Sequence, residues 1–384
     1  MELYIAGGCS EHGRNSFLIK GDSCSFLVDA GLMKEKKGSP YPVLSKEEIV
    51  LLDYLFLTHS HNDHVGAIPW LYENGFQGTV VATRNTFAML NFPIGKKIVL
   101  EELGEPGKKI RLGERFSFKW GRSGHCAGSV WYRFVVDDTR ILFTGDYAEH
   151  SLAYRCDRIR RMKADLAVVD CAYGTDSGSA KKNRKAFLSY AENAKEKNRK
   201  LFFPIPSNGR GLDILRAMGE VHVPSYIGAH MRKELENISD PEFWLKRGLM
   251  RHLQEFPPGD LDAGLEELKK GGKRSLALFV TDSQLYDEED RETAVLMDSL
   301  NGRVCLTGKQ NPESFARILL NSDRADFIRL FTHQNIKEMK KLISRNDFGY
   351  VIPYHCRQPL SFDEKEILVL KTGDRIRISD PGKP

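Results

Sequence analysis

Residues 58–66 read Thr-His-Ser-His-Asn-Asp-His-Val-Gly and place His59, His61, Asp63 and His64 within six positions. Three of the chain's eleven histidines fall there. Neutral imidazole nitrogen and carboxylate oxygen are zinc-type ligands, and such a burst points to a metal site rather than to scattered loop histidines. An apolar run, Tyr54 to Leu57, leads directly into it. A strand there fixes the backbone. Alternation then sends His59 and His61 to one side, while Asp63 and His64 leave the following turn in another direction. That divergence suits two metal ions better than one. The chemistry implied is coordination of divalent metal ions.

Two further apolar runs also end in carboxylates. Phe26-Leu27-Val28 leads to Asp29, and Ile141-Leu142-Phe143 leads through Thr144-Gly145 to Asp146. Between them, Ser123-Gly124-His125-Cys126-Ala127-Gly128-Ser129 surrounds a histidine with small residues, which let backbone pass close to a metal centre. Later stretches place Asp170 after Leu166-Ala167-Val168-Val169, His333 in Phe331-Thr332-His333-Gln334, and His355 after Val351-Ile352-Pro353-Tyr354.

Taken together, these motifs resemble the metallo-β-lactamase fold, whose metal motif is His-x-His-x-Asp-His, and within it the β-CASP nucleases, such as the ribonuclease J type and the mRNA 3′-end processing endonucleases. The resemblance runs from about residue 3 to about residue 380. It implies an αββα sandwich with an inserted α/β cap. It also implies two divalent ions, zinc with manganese as the alternative. One ion would take His59, His61 and His125, and the other Asp63, His64 and His355, with Asp146 bridging. Asp29 would hold a ligating histidine from outside. Asp170, His333 and the ligand Asp63 are the catalytic candidates, with Asp170 orienting the His333 imidazole and His333 serving the leaving oxygen or the phosphate. Ser207, Asn208 and Arg210, in the turn that resembles the opening of the cap, join Thr332 and His333 as expected substrate contacts.

The reaction so implied is hydrolysis of RNA phosphodiester bonds by a hydroxide that two metals activate. A DNA nuclease, or a hydrolase of small phosphodiesters or esters, is the alternative. An inactive RNA-binding relative is disfavoured, because such relatives lose ligands and all seven are present here. His355 goes with RNA enzymes within the family, by association. The chain departs from the family at Asp282, where small residues are usual, at Asp170, where a glutamate is common, and at Asn311-Pro312-Glu313, where a glycine turn is usual.

The elements that must position these residues read as one fold interrupted by another. Residues 1–175 alternate strands with turns and form the first part of the metallo-β-lactamase domain. Residues 176–325 alternate helix and strand, the rhythm of a parallel α/β cap. Residues 326–384 return to the first domain, because His333 and His355 need the metals. The spacing predicts helices over Val65–Glu73, Lys182–Lys195, Leu212–Met218 and Arg291–Leu300. Strands are expected over Leu201–Ile205, Ser275–Val280 and Arg303–Leu306.

Composition bounds the rest. The chain has 384 residues, 41% hydrophobic and with a formal charge of +5, and its mean hydropathy is −0.40. No apolar stretch approaches the ~20 residues of a membrane helix. The start, Met-Glu-Leu-Tyr-Ile, is expected to be a strand and not a signal peptide. Seven scattered cysteines suggest reduced thiols in a cytoplasmic enzyme. Cys126 and Cys356, beside proposed ligands, are read as core. Residues 176–216 hold ten Lys or Arg against four Asp or Glu, and Arg155, Arg158, Arg160, Arg161 and Lys163 lie just before. This basic rim is a candidate contact for single-stranded RNA, against the alternative of solvated helix faces. Residues 255–298, with twelve carboxylates against five bases, are expected to be an outer surface. A homodimer is left open. His12, His150, His222, His230 and His252 are read as structural.

Overall fold

A computed structural model describes residues 1–33, 38–357 and 367–378. The chain divides into two compact units. The first is Met1–Glu149, Cys156–Ser177 and the described residues from His333 on; the second is His150–Arg155 with Gly178–Thr332.

The first unit is built on two sheets. One runs in the order Arg375–Arg377, Glu2–Gly7, Ser16–Lys20, Ser25–Val28, Tyr54–Phe56, Thr79–Ala82, Lys97–Val99. The other runs Asp347–Tyr354, Lys163–Asp170, Thr139–Phe143, Val130–Val136, Phe116–Arg122, Ile110–Arg111. Alternation divides each strand between two layers. Phe26 and Phe56 point between the sheets, where their rings meet that of Phe134 at 4.7 and 4.8 Å. Phe17 meets Phe143 at 5.5 Å in the same layer. The intervening Leu27 and Leu55 pack outward with Ile49, Ile68 and Leu71 from flanking helices. On the other outer face, Leu142, Ala167 and Val351 pack with Met339, Leu342 and Ile343 of the Ile336–Ser344 helix. The result is four layers: helices, two sheets, helices.

Parallel pairing lines up the functional strand ends. Ser25–Val28 pairs parallel with Tyr54–Phe56, so Asp29 and the Thr58-His59 pair emerge from one rim. Thr139–Phe143, Lys163–Asp170 and Asp347–Tyr354 also pair in parallel, with Asp170 opposite Tyr354. Asp146, Asp170 and His355 therefore leave neighbouring carboxyl ends, the usual edge for ligand sites in such sheets.

The helix expected over Val65–Glu73 is two short ones, Asn62–Val65 and Ile68–Glu73. Pro69 has no N–H to bond back to Val65. Between the two, the Ala67 N–H turns to Ala30 O at 2.8 Å.

The second unit holds a six-stranded, all-parallel sheet in the order Gly259–Asp260, Ser225–Ile227, Ala277–Val280, Lys200–Pro204, Gly302–Leu306, Ala325–Phe327. Helices Ala180–Glu196, Arg210–Glu220 and Glu288–Ser299 stand where helical spacing places them, each starting two or three residues earlier. Ser179 and Asp287 cap the first and third, accepting from backbone N–H groups inside the first turn. The segment His150–Arg155 belongs to this unit, although residues up to 175 are expected in the first. The Asp213 carboxylate holds it, accepting from Ser151 Oγ at 2.9 Å and from the Leu152 and Ala153 N–H groups. The exit falls at Thr332 rather than near 325, because the Ile328 N–H still bonds Leu306 O at 2.8 Å.

Glu234 is the other buried carboxyl of this unit, 3% exposed. It accepts from the Gly209 N–H at 3.0 Å and the Tyr154 hydroxyl at 2.7 Å. Burial pushes its pKa up to about 7, against these hydrogen bonds and with help from Asp213. A raised folded-state pKa means that, between the unfolded value of 4.5 and about 7, the unfolded chain gives up a proton that the folded chain keeps. Stability from this group is therefore full below 4.5, falls through that window and levels off above it. Glu234→Gln keeps an acceptor oxygen without the charge. Its unfolding free energy is expected to exceed that of the wild type by roughly 1–3 kcal/mol at pH 8, with the gap shrinking toward pH 5. Denaturant unfolding at the two pH values checks this. A gap independent of pH means that Glu234 is not the titrating group.

Candidate metal centre

The histidine-rich turn is fixed before its side chains are considered. Asp29 adopts a left-handed backbone, φ 60°. Its Oδ1 accepts the Thr58 N–H at 2.7 Å, and its Oδ2 accepts the Thr58 hydroxyl at 2.7 Å and faces His64 Nδ1 at 2.7 Å. That carboxylate sets the His64 tautomer, with the proton on Nδ1 and Nε2 left to bind. Gly31 lets the turn close: a Cβ there would lie 1.7 Å from Asp63 O.

The ring nitrogens then converge. His59 Nε2 lies 3.0 Å from His61 Nδ1, and His125 Nε2 lies 3.1 Å from the same atom. His59 Nε2 and His125 Nε2 each lie 3.5 Å from Asp146 Oδ2. The other oxygen, Asp146 Oδ1, faces His64 Nε2 at 3.4 Å and His355 Nδ1 at 3.3 Å. Asp63 Oδ2 lies 3.2 Å from His355 Nε2 and 3.9 Å from His64 Nε2. His59, His64, His125 and Asp146 are all buried.

This donor set fits a divalent metal ion. Tetrahedral zinc with bonds of about 2.1 Å has ligand–ligand edges of about 3.4 Å, close to the spacings around His61 and Asp146. His59, His61, His125 and Asp146 form one group with ligand atoms within 4.8 Å of one another, and Asp63, His64 and His355 form another. A third such group is Asp146, Asp170, His333 and His355.

Without metal, the centre balances its own charge. Burial would raise the Asp146 carboxyl, but His64, His355, His333 and His59 outweigh it and hold the group well below the usual carboxylate range. Burial and the neighbouring His64 keep the His59 pKa well below 6.5, which leaves its imidazole neutral, the form that binds metal. Burial pulls His64 down as well, yet the Asp146 and Asp29 carboxylates hold it at about 10.

Asp170 and His333 form a pair beside this centre. His333 Nδ1 lies 2.9 Å from Asp170 Oδ2 and 3.8 Å from Asp146 Oδ2. Asp170 is fully buried, and its carboxylate also accepts the Tyr147 and Ala172 N–H groups at 2.9 and 3.0 Å.

The substrate contacts expected on the cap lie in the second unit. Ser207 is exposed and Asn208 buried in the turn after the Lys200–Pro204 strand. Arg210 opens the next helix and donates from Nη2 to Thr332 Oγ1 at 3.2 Å. The Asp282 carboxylate is turned into its own loop, accepting the Gln284 and Asp287 N–H groups at 3.2 and 2.7 Å. Of the basic rim, Arg158 and Arg160 lie 3.5 and 2.5 Å from Glu149, and Arg184 lies 2.6 Å from Glu220; Lys181, Lys182 and Lys185 are exposed. Cys126 and Cys356 are buried, as core residues would be.

Sequence reasoning passed over four residues. Thr58 couples Asp29 to the turn. Asn15 is fully buried, with Nδ2 2.9 Å from His64 Nε2 and 3.1 Å from Asp63 O. Tyr354 donates to Asp146 Oδ1 at 3.1 Å. The ring of His12, read as structural, meets that of His355 edge-on at 5.8 Å. The signal for Thr58 and Tyr354 was adjacency to a ligand. For Asn15 and His12 it was the glycine-flanked stretch at 8–15, where Ser10 and Arg14 also carry positive φ.

A four-layer sandwich with histidines and carboxylates on one rim defines a candidate metal site. Residues 10–196 match the model of the metallo-beta-lactamase superfamily. Residues 10–196 thus carry a metallo-β-lactamase domain, and a second, all-parallel sheet domain accompanies it. It is 22% identical over 275 residues to Endoribonuclease YSH1 of Kluyveromyces lactis, covering 64% of this chain and 35% of that protein. It is 26% identical over 237 residues to Ribonuclease TTHA0252 of Thermus thermophilus, 56% of this chain and 54% of that one. With Cleavage and polyadenylation specificity factor 73 of Drosophila melanogaster it shares 22% over 266 residues, 61% and 39% of the two chains. The matches thus span between about a third and about half of these relatives' lengths. A crystal structure of a protein of unknown function from Enterococcus faecalis V583 shares the fold, with a TM-score of 0.62 at 12% identity over 98% of this chain and 99% of that one.

Proposed function

We propose that the chain is a ribonuclease that hydrolyses single-stranded RNA with two divalent ions, zinc in preference to manganese. The observation that carries this reading is the sharing of Asp146 between two ligand groups. Its Oδ2 faces His59 and His125, and its Oδ1 faces His64 and His355. His61 completes the first group and Asp63 the second. The names of the relatives, endoribonuclease and ribonuclease, supply the substrate class.

When bound, divalent ions supply charge that polarises a phosphodiester and lowers the pKa of a water toward ~7. The protein's own groups do the rest. Asp29 and Thr58 keep His64 in one tautomer. Asp170 holds the His333 ring by Nδ1, which leaves Nε2 to carry a proton to the leaving oxygen. Lys181, Lys182 and Lys185 offer charge to a polyanion, a contact that salt weakens. The seven cysteines stand as thiols, which suits a reducing compartment, the cytoplasm. No described helix is long and apolar enough to cross a membrane.

The test is purified protein with zinc or manganese on end-labelled RNA and DNA of one sequence. RNA is expected to shorten, more slowly as salt rises. Intact RNA under both metals, with turnover of a small ester, refutes the reading.

A further inference from the structure

We propose that Tyr354 is a positioning residue for the metal centre, whose hydroxyl sets the rotation of the Asp146 carboxylate so that each oxygen serves a different ion. The inference rests on the two-ion reading above. Asp146 and Tyr354 are each 2% exposed, and Tyr354 Oη donates to Asp146 Oδ1 at 3.1 Å across 208 residues of sequence.

The donor is held from several directions. The Tyr354 backbone lies opposite Asp170 in the parallel pairing, and its carbonyl accepts the Cys171 N–H at 3.0 Å. Its ring meets Phe17 edge-on at 5.4 Å and stacks on His355 at 5.9 Å. A phenol fixed in this way has little freedom to follow a turning carboxylate, so the carboxylate must conform to it.

An ionised carboxylate offers about four lone-pair positions on two oxygens. The Tyr354 proton takes one on Oδ1. That leaves one on Oδ1 toward His64 and His355, 3.4 and 3.3 Å away, and leaves Oδ2 toward His59 and His125, 3.5 Å from each. Loss of the hydroxyl frees the rotation and removes the partner of Oδ1. The consequence is unequal, because Oδ1 faces the group of Asp63, His64 and His355. Outer groups that orient ligands in this way are typically worth 10–100-fold in metal affinity.

Tyr354→Phe removes the oxygen and keeps the ring. Metal-free wild type and variant are titrated with Zn²⁺ against a chelating indicator, resolving two binding steps, with thermal unfolding of the metal-free proteins alongside. The expected result is a tighter step within about threefold of wild type and a weaker step reduced roughly 10–100-fold. Phe17→Leu loosens the same packing but keeps the hydroxyl; it is expected to lower the melting temperature with both steps nearly unchanged. Two wild-type-like steps in Tyr354→Phe, or the same selective loss in Phe17→Leu, overturn the role. If the wild type itself takes up one ion, the two-ion reading falls instead, and this role with it.

Discussion

Asp146→Asn is expected to empty both halves of the metal centre at once. The substitution keeps the size of the side chain and one carbonyl oxygen. It removes the charge that faces His59 and His125 on one side and His64 and His355 on the other. Asp63→Asn supplies the contrast, because Asp63 Oδ2 lies against His355 and His64 and belongs to the second group alone. Metal analysis after dialysis is therefore expected to give near two ions for the wild type, near one for Asp63→Asn, and well below one for Asp146→Asn. Hydrolysis of RNA by the Asp146 variant is expected to fall roughly 10³-fold or more, since the ions supply several kcal/mol of charge stabilisation. Two ions retained in Asp146→Asn would show that the carboxylate does not bridge.

The candidate ligands were legible because they cluster just past strand ends, in the turns and the short helix that follow. An apolar run that stops at a histidine or an aspartate can be read without knowing the fold. What orients them was not legible. The Asp146 hydroxyl donor comes from Tyr354, and Asn15 reaches His64 from 49 residues away. Those partners follow from sheet order, in which the Asp347–Tyr354 and Lys163–Asp170 strands are neighbours though far apart in sequence. Nothing in a local pattern announces that pairing.

Charge was the harder pattern to read. Arg158 and Arg160 look like a basic run, yet both face Glu149. Asp282 reads as a carboxylate where small residues are expected, yet it caps its own turn. Local partners decided both cases: Glu149 pairs with the two arginines, and the Asp282 carboxylate accepts the backbone N–H groups beside it. The split of the Val65–Glu73 helix has a similarly local cause. Its apolar spacing fits one helix, but Pro69 withholds a hydrogen bond, and Ala67 takes a partner outside the helix.

His333 is the residue whose role separates two arrangements of the site. In one, it stands outside the metals and serves the leaving oxygen. In the other, it joins Asp146, Asp170 and His355 as a ligand. The distances favour the first: Nδ1 lies 2.9 Å from Asp170 Oδ2 and 3.8 Å from Asp146 Oδ2, so that nitrogen is already engaged. His333→Ala is then expected to keep both ions and to lose about 10²–10⁴-fold in rate, the usual size of acid–base help. An RNA with sulfur at the leaving position bypasses the defect, because a thiolate departs with little need of a proton. That substrate is expected to bring the variant to within about tenfold of wild type, while the Asp146 variant stays inactive on it. Asp170→Asn is expected to fall between wild type and His333→Ala, since it loosens the ring without removing it. If His333→Ala strips an ion, the ligand arrangement is the right one. If both ions stay and sulfur restores nothing, His333 contacts the phosphate rather than the leaving group.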